Sequence, residues 1–140
     1  MNRTRGIRNN NPANLRKGCK WVGLSKCQND AEFCVFESMH YGVRALIKTL
    51  RTYVLVHGLT TIPEILNRFA PPSENDTEAY IKYVESVVDY DGRFAGTFAK
   101  YHFEPLTSHS LYMLCKAICA MESSYSLTEF VFERALKSVR

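Results

Sequence analysis

The sequence lacks the long apolar run that a transmembrane helix requires. Nowhere do its 140 residues approach about 20 consecutive apolar residues. The basic N-terminus is not followed by an apolar stretch of signal-peptide length, so we expect no signal peptide. Synthesis in the cytoplasm is therefore predicted, and any action outside it would require delivery by another factor.

The sequence also lacks the common motifs for cofactors and metals. It contains no phosphate-binding glycine-rich loop and no GxSxG elbow. Its four histidines are scattered at positions 40, 57, 102 and 109, and no two of them form a metal motif. We therefore predict neither a cofactor nor a metal.

Cysteine is present in an odd number, which argues against a complete disulfide framework. The five cysteines stand at positions 19, 27, 34, 115 and 119. Cys115 and Cys119 lie one helical turn apart, a spacing that can chelate zinc. They belong, however, to the apolar segment LYMLCKAICAM, so buried thiols are the favoured interpretation.

Helical periodicity dominates what the sequence does contain. A first long helix is predicted within 38–57, with Val43, Leu46, Ile47, Leu50, Tyr53 and Val54 on its apolar face. Ser38 is expected to cap it, and Gly58 is expected to end it. Gly42, in its first turn, suggests close approach of another part of the backbone.

Four further helices follow from capping signals and apolar spacing. Thr61, Pro63 and Glu64 predict a capped helix that stops at Pro71. Asn75 or Asp76 is expected to cap the next, and THSLYMLCKAICAMES predicts another. Ser126 and Glu129 suggest a capping box for the last, and the segment 93–106 receives no assignment. The short run EFCVF (32–36) predicts a strand or an extended segment.

These elements predict a mainly α, compact, single-domain helical bundle over 1–140. In it, a loop-rich segment (1–37) packs on helices within 38–140. At 140 residues the chain fits one domain with one core.

The N-terminal segment is rich in asparagine and in positive charge. Pro12 within NNNPAN disfavours helix, so the stretch is expected to be a coil. It is either a solvated arm or an ordered polar loop whose amides bond backbone or ligand. Residues 1–30 hold seven Lys or Arg and one Asp, whereas 60–104 hold four Lys or Arg and eight Asp or Glu. This asymmetry suits an anionic polymer, or docking of the segment on the chain's own acidic half.

Two carboxylates stand where loops enter helices. Glu37 precedes the first long helix, and Glu74 lies between a proline stop and a helix start. A carboxyl group held beside apolar side chains can act as a general acid, and glycoside cleavage usually uses two. The alternative is that Glu37 is solvated and that Glu74 only stabilises a helix N-terminus. Trp21, Tyr41, Tyr53, Tyr80 and Tyr83 could stack on sugar rings or belong to the core.

Taken in order, three segments resemble a known family. They are RGIRNNNPANLRKGCKWVG, FCVFESMHYGVRALIKTLRTY and TIPEILNRFAPPSENDTEAYIKYV, and together they span roughly residues 3–90. The family consists of small phage-borne and bacterial proteins of Bacteroides-type genomes and prophages. Its members are often described as phage virion structural proteins, and they are similar to lysozyme-like α-helical proteins in size and helix content.

The resemblance implies a peptidoglycan-degrading enzyme, a lysozyme-like glycoside hydrolase or a lytic transglycosylase. Its alternative is a non-catalytic virion or envelope-binding protein. Implied partners are peptidoglycan or another envelope glycan and other virion proteins, whereas nucleic acid is disfavoured. The protein would act in the virion or at the cell envelope after synthesis in the bacterial cytoplasm.

The resemblance and the residue patterns together give a set of candidate site residues. Glu74 and Glu37 are the predicted catalytic residues. The predicted substrate-binding residues are Asn10, Asn11, Asn14, Trp21, Tyr41, Arg44, Asn75, Thr77 and Tyr80. In this hypothesis NNNPAN and SENDT form the facing walls of a groove, with Arg44 nearby.

The chain departs from the family pattern at three positions. It has Ala13 where the family has glycine, which implies that a glycine conformation is not essential there. It has Phe69 where the family usually has tryptophan, and His40 where the family often has an acidic or other polar residue. Position 40 is therefore not assigned as a catalytic acid.

Overall fold

A computed structural model describes residues 3–90 and 108–139 of the chain. The described elements are α1 (Arg5–Arg8), α2 (Met39–Leu55), α3 (Ile62–Phe69), α4 (Thr77–Tyr90), α5 (Ser108–Ser123) and α6 (Glu129–Ser138). The mainly helical class predicted from the sequence is confirmed. Among the described residues, no helix has both the length and the apolar character that crossing a bilayer would take.

The described residues fall into two compact units. The first unit comprises those up to Thr49 together with those from Ile118 onward, and the second comprises those from Leu50 to Ala117. The sequence-based expectation of one domain stays a prediction.

An extended segment, 32–36, organises the irregular part of the first unit. Phe33 pairs in an antiparallel bridge with Arg16, and Phe36 pairs with Leu24. On one side the N–H of Cys34 donates to the Leu15 carbonyl at 3.0 Å. On the other side the N–H of Glu37 donates to the Gly23 carbonyl at 2.8 Å. The prediction of an extended EFCVF segment is thereby confirmed.

The core of the first unit combines the loop-rich segment with parts of three helices. Its fully buried large side chains are Phe36, Val43, Leu46, Ile47, Ile118, Leu127 and Phe132. The predicted apolar stripe of α2 is confirmed over this range because Val43, Leu46 and Ile47 are all fully buried. Cys119 here, and Cys115 in the second unit, are also completely buried, as the apolar interpretation of their segment predicted.

Gly42 allows the loop to approach α2. A Cβ on Gly42 would collide with the Asn10 carbonyl oxygen and would lie 2.9 Å from Pro12 Cδ. The predicted close approach of another backbone is confirmed, and the approaching chain is the asparagine-rich loop itself.

Local capping signals define the helices of the second unit. The Thr61 hydroxyl accepts from the N–H of Glu64 at 3.3 Å, and the Glu64 carboxylate accepts from the N–H of Thr61 at 3.2 Å. This is the predicted capping box of α3. Asp76, one of the two predicted caps of α4, accepts from the N–H of Ala79 at 3.2 Å.

The end of α2 also follows its sequence signal. Gly58 adopts a φ of 66°, in the left-handed region where glycine is favoured. The N–H of Leu59 then reaches back to the Tyr53 carbonyl at 3.0 Å and satisfies a helix-end carbonyl.

Two features of the fold differ from the sequence predictions. The predicted capping box of the last helix is wrong, because Thr128 and not Ser126 caps α6, accepting from the N–H of Val131 at 3.3 Å. Helix α1, a single turn capped by Thr4, was not predicted. The unassigned segment 93–106 lies outside the described residues.

Candidate functional site

Asn11 holds the NNNPAN loop together from inside. It is completely buried, and its amide nitrogen donates to the carbonyls of Leu15 and Cys34, each at 3.0 Å. Its amide oxygen accepts from the N–H of Leu15 at 2.9 Å. The loop is therefore ordered, not a solvated arm, and the described partners of Asn11 are backbone groups.

Asn10 and Asn14 give the loop its two sharp turns. Each adopts a φ of 52°, a left-handed conformation that asparagine tolerates better than most residues. Ala13 lies between them and has no positive φ. Alanine is therefore acceptable at this position, as expected from the sequence. The Asn10 amide is engaged as well, since it donates to the Phe36 carbonyl at 3.1 Å.

The N-terminal segment is joined to the C-terminal end of α5 by three hydrogen bonds. The Thr4 hydroxyl donates to the Ser123 carbonyl at 2.7 Å. The Ser123 hydroxyl donates to the Pro12 carbonyl at 2.8 Å. The Asn14 amide donates to the Glu122 carbonyl at 3.0 Å. All of these residues belong to the first unit, so one compact body holds the whole arrangement.

Glu122 is the carboxylate that these hydrogen bonds bring against the loop. The Asn14 amide nitrogen also lies 3.3 Å from Glu122 Oε1, and the Glu122 side chain is half-buried. A predicted substrate-binding residue is thus joined to a carboxylate that the sequence analysis did not single out. We call the following five residues the loop site: Thr4, Pro12, Asn14, Glu122 and Ser123.

A signal for Glu122 was present in the sequence. The predicted helix THSLYMLCKAICAMES places this carboxylate in its last turn, where the helix dipole disfavours negative charge. A local misfit of this kind is typical of functional positions. Capping and periodicity rules do not detect it, because they look for charges that suit a helix.

Gly6 makes the close packing of the loop site possible. A Cβ at this position would lie 2.6 Å from Ser123 Cβ and 2.9 Å from the Asn11 carbonyl oxygen. Any side chain here would push α1 away from the end of α5.

An ion pair anchors the other side of the loop. Arg5 Nε and Nη2 each lie 2.6 Å from an oxygen of Asp30, whose side chain is only 9% exposed. Asp30 also accepts from the N–H groups of Phe33 and Glu32, and from the Asn9 amide. The Arg5 guanidinium and these donors hold the pKa of Asp30 far below its usual range.

The basic segment therefore neutralises part of its own charge. In the described part of the chain, Arg5 and Arg16 both also approach Glu32, at 3.3 and 3.4 Å. These ion pairs are formed within the first 32 residues rather than with the acidic stretch of 60–104.

The other predicted residues of the first unit lie around the start of α2. Glu37 is exposed, immediately before the helix. Tyr41 packs so closely over Gly23 that a Cβ there would collide with its ring, and it meets His40 edge-on at 5.1 Å. The Trp21 indole Nε1 is buried without a hydrogen-bond partner in the described part of the chain.

Arg44 connects α2 with the end of α6. Its Nε donates to the Ser138 carbonyl at 3.5 Å, a long hydrogen bond. Burial, with the positive charges of Arg134 and Arg44, lowers the pKa of His40, which lies one turn earlier on α2. Three cationic or basic groups are thus close together on two helices.

The remaining predicted residues belong to the second unit. A cavity of about 480 Å³ is lined by Asn67, Pro72, Asn75, Asp76, Thr77, Glu78 and Ile81. Two predicted residues, Asn75 and Thr77, line it, and the Thr77 hydroxyl donates to the Ala70 carbonyl. Glu74 is exposed and is not among the lining residues, and Tyr80 is 4% exposed within the core.

The described residues contain no group of three or more metal-binding side chains. The loop site offers the Glu122 carboxylate, the Asn14 amide, the Thr4 and Ser123 hydroxyls and backbone groups. Such a set can position and protonate an oxygen of a bound polymer.

The described part of the chain is mainly helical, and the comparisons with known proteins show similarity to a phage protein. The chain is similar to Protein P5 of Pseudoalteromonas phage PM2, with 43% identity over 84 residues. That alignment covers 57% of this chain and 52% of the phage protein, so the chain spans about half the length of the curated relative it matches. No family model matches the sequence.

Proposed function

We propose that this phage-type protein cleaves the glycan strand of bacterial peptidoglycan, with Glu122 as the general acid. The observation that carries the proposal is the contact of the Asn14 amide with the Glu122 carboxylate. It joins a sequence-predicted binding residue to a half-buried carboxylate inside one compact unit.

The loop site has the rigidity that acid catalysis needs. Asn14 is fixed by its own left-handed turn, and the backbone of Glu122 is fixed by the Asn14 amide. A proton donor held in one orientation can meet a glycosidic oxygen without the entropic cost of ordering a mobile side chain. Similarity to a phage protein makes the bacterial wall a natural substrate.

A glycosidase usually has a second carboxylate. Of the two carboxylates predicted from the sequence as catalytic, Glu37 belongs to the same unit as Glu122 and is our candidate for the second group, whereas Glu74 belongs to the other unit. In a hydrolase, a water molecule attacks the sugar, and Glu37 would activate that water. If the sugar's own hydroxyl attacks, as in a lytic transglycosylase, the first acid can serve both steps.

A second candidate function is non-catalytic binding to the envelope or to other virion proteins. It is favoured by the exposure of Glu37 and Glu74, since a catalytic acid is usually at least partly buried. In this alternative the 480 Å³ cavity of the second unit, with Asn75 and Thr77 in its lining, would contribute to recognition.

The deciding experiment is digestion of purified peptidoglycan, with soluble products identified by mass spectrometry. Wild type is compared with Glu122→Gln, Glu37→Gln and Glu74→Gln, and Glu133→Gln on the exposed face of α6 is the matched control. Glutamine retains the oxygen that accepts from Asn14, so the fold should persist. We expect Glu122→Gln to lose activity by about 100-fold or more.

Each outcome has a distinct meaning. Anhydro ends indicate a lytic transglycosylase, and reducing ends indicate a hydrolase. Full activity of folded Glu122→Gln would refute the assignment of the acid. Absence of products from wild type that still sediments with the sacculus would establish the binding function instead.

A further inference from the structure

A cluster of two arginines and one histidine at the start of α2 is not used by the loop site. It consists of His40 and Arg44, one turn apart on α2, and Arg134 on α6. The hydrogen bond from Arg44 Nε to the Ser138 carbonyl joins α2 to α6 one turn after Arg134, so the three side chains belong to adjoining turns of the two helices in the first unit. The charges of both arginines also lower the pKa of His40.

Nothing in the described part of the chain neutralises this cluster. The ion pairs in the described part of the chain involve Arg5 and Arg16. Neither Arg44 nor Arg134 forms an ion pair with a carboxylate in that part. The one described hydrogen bond of Arg44 goes to a backbone carbonyl. Holding two guanidinium groups near each other without a counter-charge costs free energy, and such a cost is typical of a binding site.

The surroundings are arranged for an anion. His40 lies in the first turn of α2, a helix of 17 residues, where the free N–H groups and the helix dipole favour negative charge. Arg44 keeps donors to spare, because a guanidinium has five N–H groups and one described bond uses a single one.

Arg134 is positioned by an exposed aromatic ring. Its guanidinium carbon lies 5.7 Å from the centre of the Phe130 ring, which is 63% exposed. This cation–π contact holds the guanidinium at the surface, next to an apolar face that a sugar ring or an aliphatic chain could cover.

We propose that His40, Arg44 and Arg134 form an oxyanion-binding site that takes a carboxylate of the peptidoglycan peptide stem. The oxyanion chemistry follows from the cluster alone, whereas the identity of the ligand rests on the proposed function. A carboxylate suits the site because guanidinium groups bind it in a two-pronged geometry.

The first test examines the site itself with a small probe. Sodium phosphate is titrated into the protein at constant ionic strength, and the ring signals of His40 are followed by NMR. Saturable shifts are expected in wild type. Arg44→Gln and Arg134→Gln should weaken binding by about five- to tenfold, whereas Arg44→Lys should keep part of it. Lys82→Gln, which removes one positive charge from an exposed position of α4, should leave binding unchanged.

The second test identifies the ligand. Wild type, Arg44→Gln and Arg134→Gln are sedimented with intact sacculi and with glycan strands stripped of stem peptides by an amidase. Weaker binding of the two variants to intact sacculi only would support the stem carboxylate. If the variants lost binding equally on intact sacculi and on stripped glycan strands, the stem carboxylate would be refuted as the ligand. If phosphate shifted the His40 signals but the variants bound both substrates as wild type does, the site would take an adventitious ion only.

Failure of this inference is distinguishable from failure of the proposed function. Both tests measure binding and neither depends on cleavage by Glu122. Wild type that cleaves glycan but shows no saturable His40 shift would refute the oxyanion site and leave the enzyme assignment standing.

Discussion

At the scale of single residues, Asn11 shows how one amide can replace regular secondary structure. It satisfies two carbonyls and one N–H of a coil that has no helix or sheet to do so. Because buried backbone groups must be paired, the loop could not pack against α2 without such a side chain.

Replacing Asn11 with alanine should therefore be costly. We expect the free energy of unfolding to fall by about 3 kcal/mol, because the Cys34 carbonyl and the N–H of Leu15 lose the Asn11 amide and the Leu15 carbonyl loses one of its two donors. Urea denaturation followed by circular dichroism would measure it. Asn29→Ala, at an exposed position, is the matched control and should change stability by less than about 0.5 kcal/mol. A loss of similar size in both variants would contradict the role given to Asn11.

Gly42 carries a second prediction at this scale. A Cβ there meets the Asn10 carbonyl, which is backbone and cannot move aside without displacing the loop. Gly42→Ala should therefore lower the free energy of unfolding by about 2 kcal/mol or more, even though alanine favours helices. Gly58→Ala is the comparison, because its Cβ would meet nothing within 4 Å. Only its left-handed backbone should matter, at about 1 kcal/mol. Chemical denaturation of both variants would decide, and a stabilised Gly42→Ala would refute the close approach.

At the scale of elements, the start of α6 separates two capping hypotheses. Ser126 and Thr128 both precede the helix, and each can accept from a helix N–H. The structure selects Thr128, so Thr128→Ala should cost about 1 kcal/mol. Ser126→Ala should cost almost nothing, and thermal unfolding of the two variants would show the difference. The reverse order of effects would restore the capping box predicted from the sequence.

The helices were predictable because their signals are local. Thr61 with Glu64, and Gly58, each act within a few residues, and the sequence alone places them correctly. It leaves Asn75 and Asp76 as alternative caps of α4, and the structure has Asp76 in that role. The prediction that Ser126 caps α6 is wrong because a local signal can be ambiguous. Spacing alone does not distinguish Ser126 from Thr128, which lies two residues later.

The loop site was only partly predictable because its contacts join distant parts of the chain. Asn14 is predicted as a binding residue from its motif, but its partner Glu122 is 108 residues away. Neither periodicity nor capping encodes that pairing. The misfit of Glu122 with the dipole of its own helix was the one local trace of it.

At the scale of the whole molecule, His40 and Asp30 link stability to pH, His40 in weakly acidic solution and Asp30 at lower pH. Burial and neighbouring arginines lower the pKa of His40, so the unfolded chain binds this proton more tightly than the folded one. Stability from this group is therefore complete above about pH 6.5, and it declines as the pH falls below that value. Arg134→Gln should reduce this decline, because it removes one of the charges that oppose protonation.

Asp30 acts at lower pH and through its ion pair with Arg5. Its pKa is lowered on folding, so its contribution is complete above the ordinary carboxyl value of about 4 and is lost as the pH falls further. Urea denaturation between pH 8 and pH 2 should thus show two separate declines. Asp30→Asn should remove the lower decline and leave the upper one, while Arg134→Gln should reduce the upper decline and leave the lower one, because burial still lowers the pKa of His40. If both variants reduced the same decline in the free energy of unfolding, groups other than His40 and Asp30 would have to cause the pH dependence.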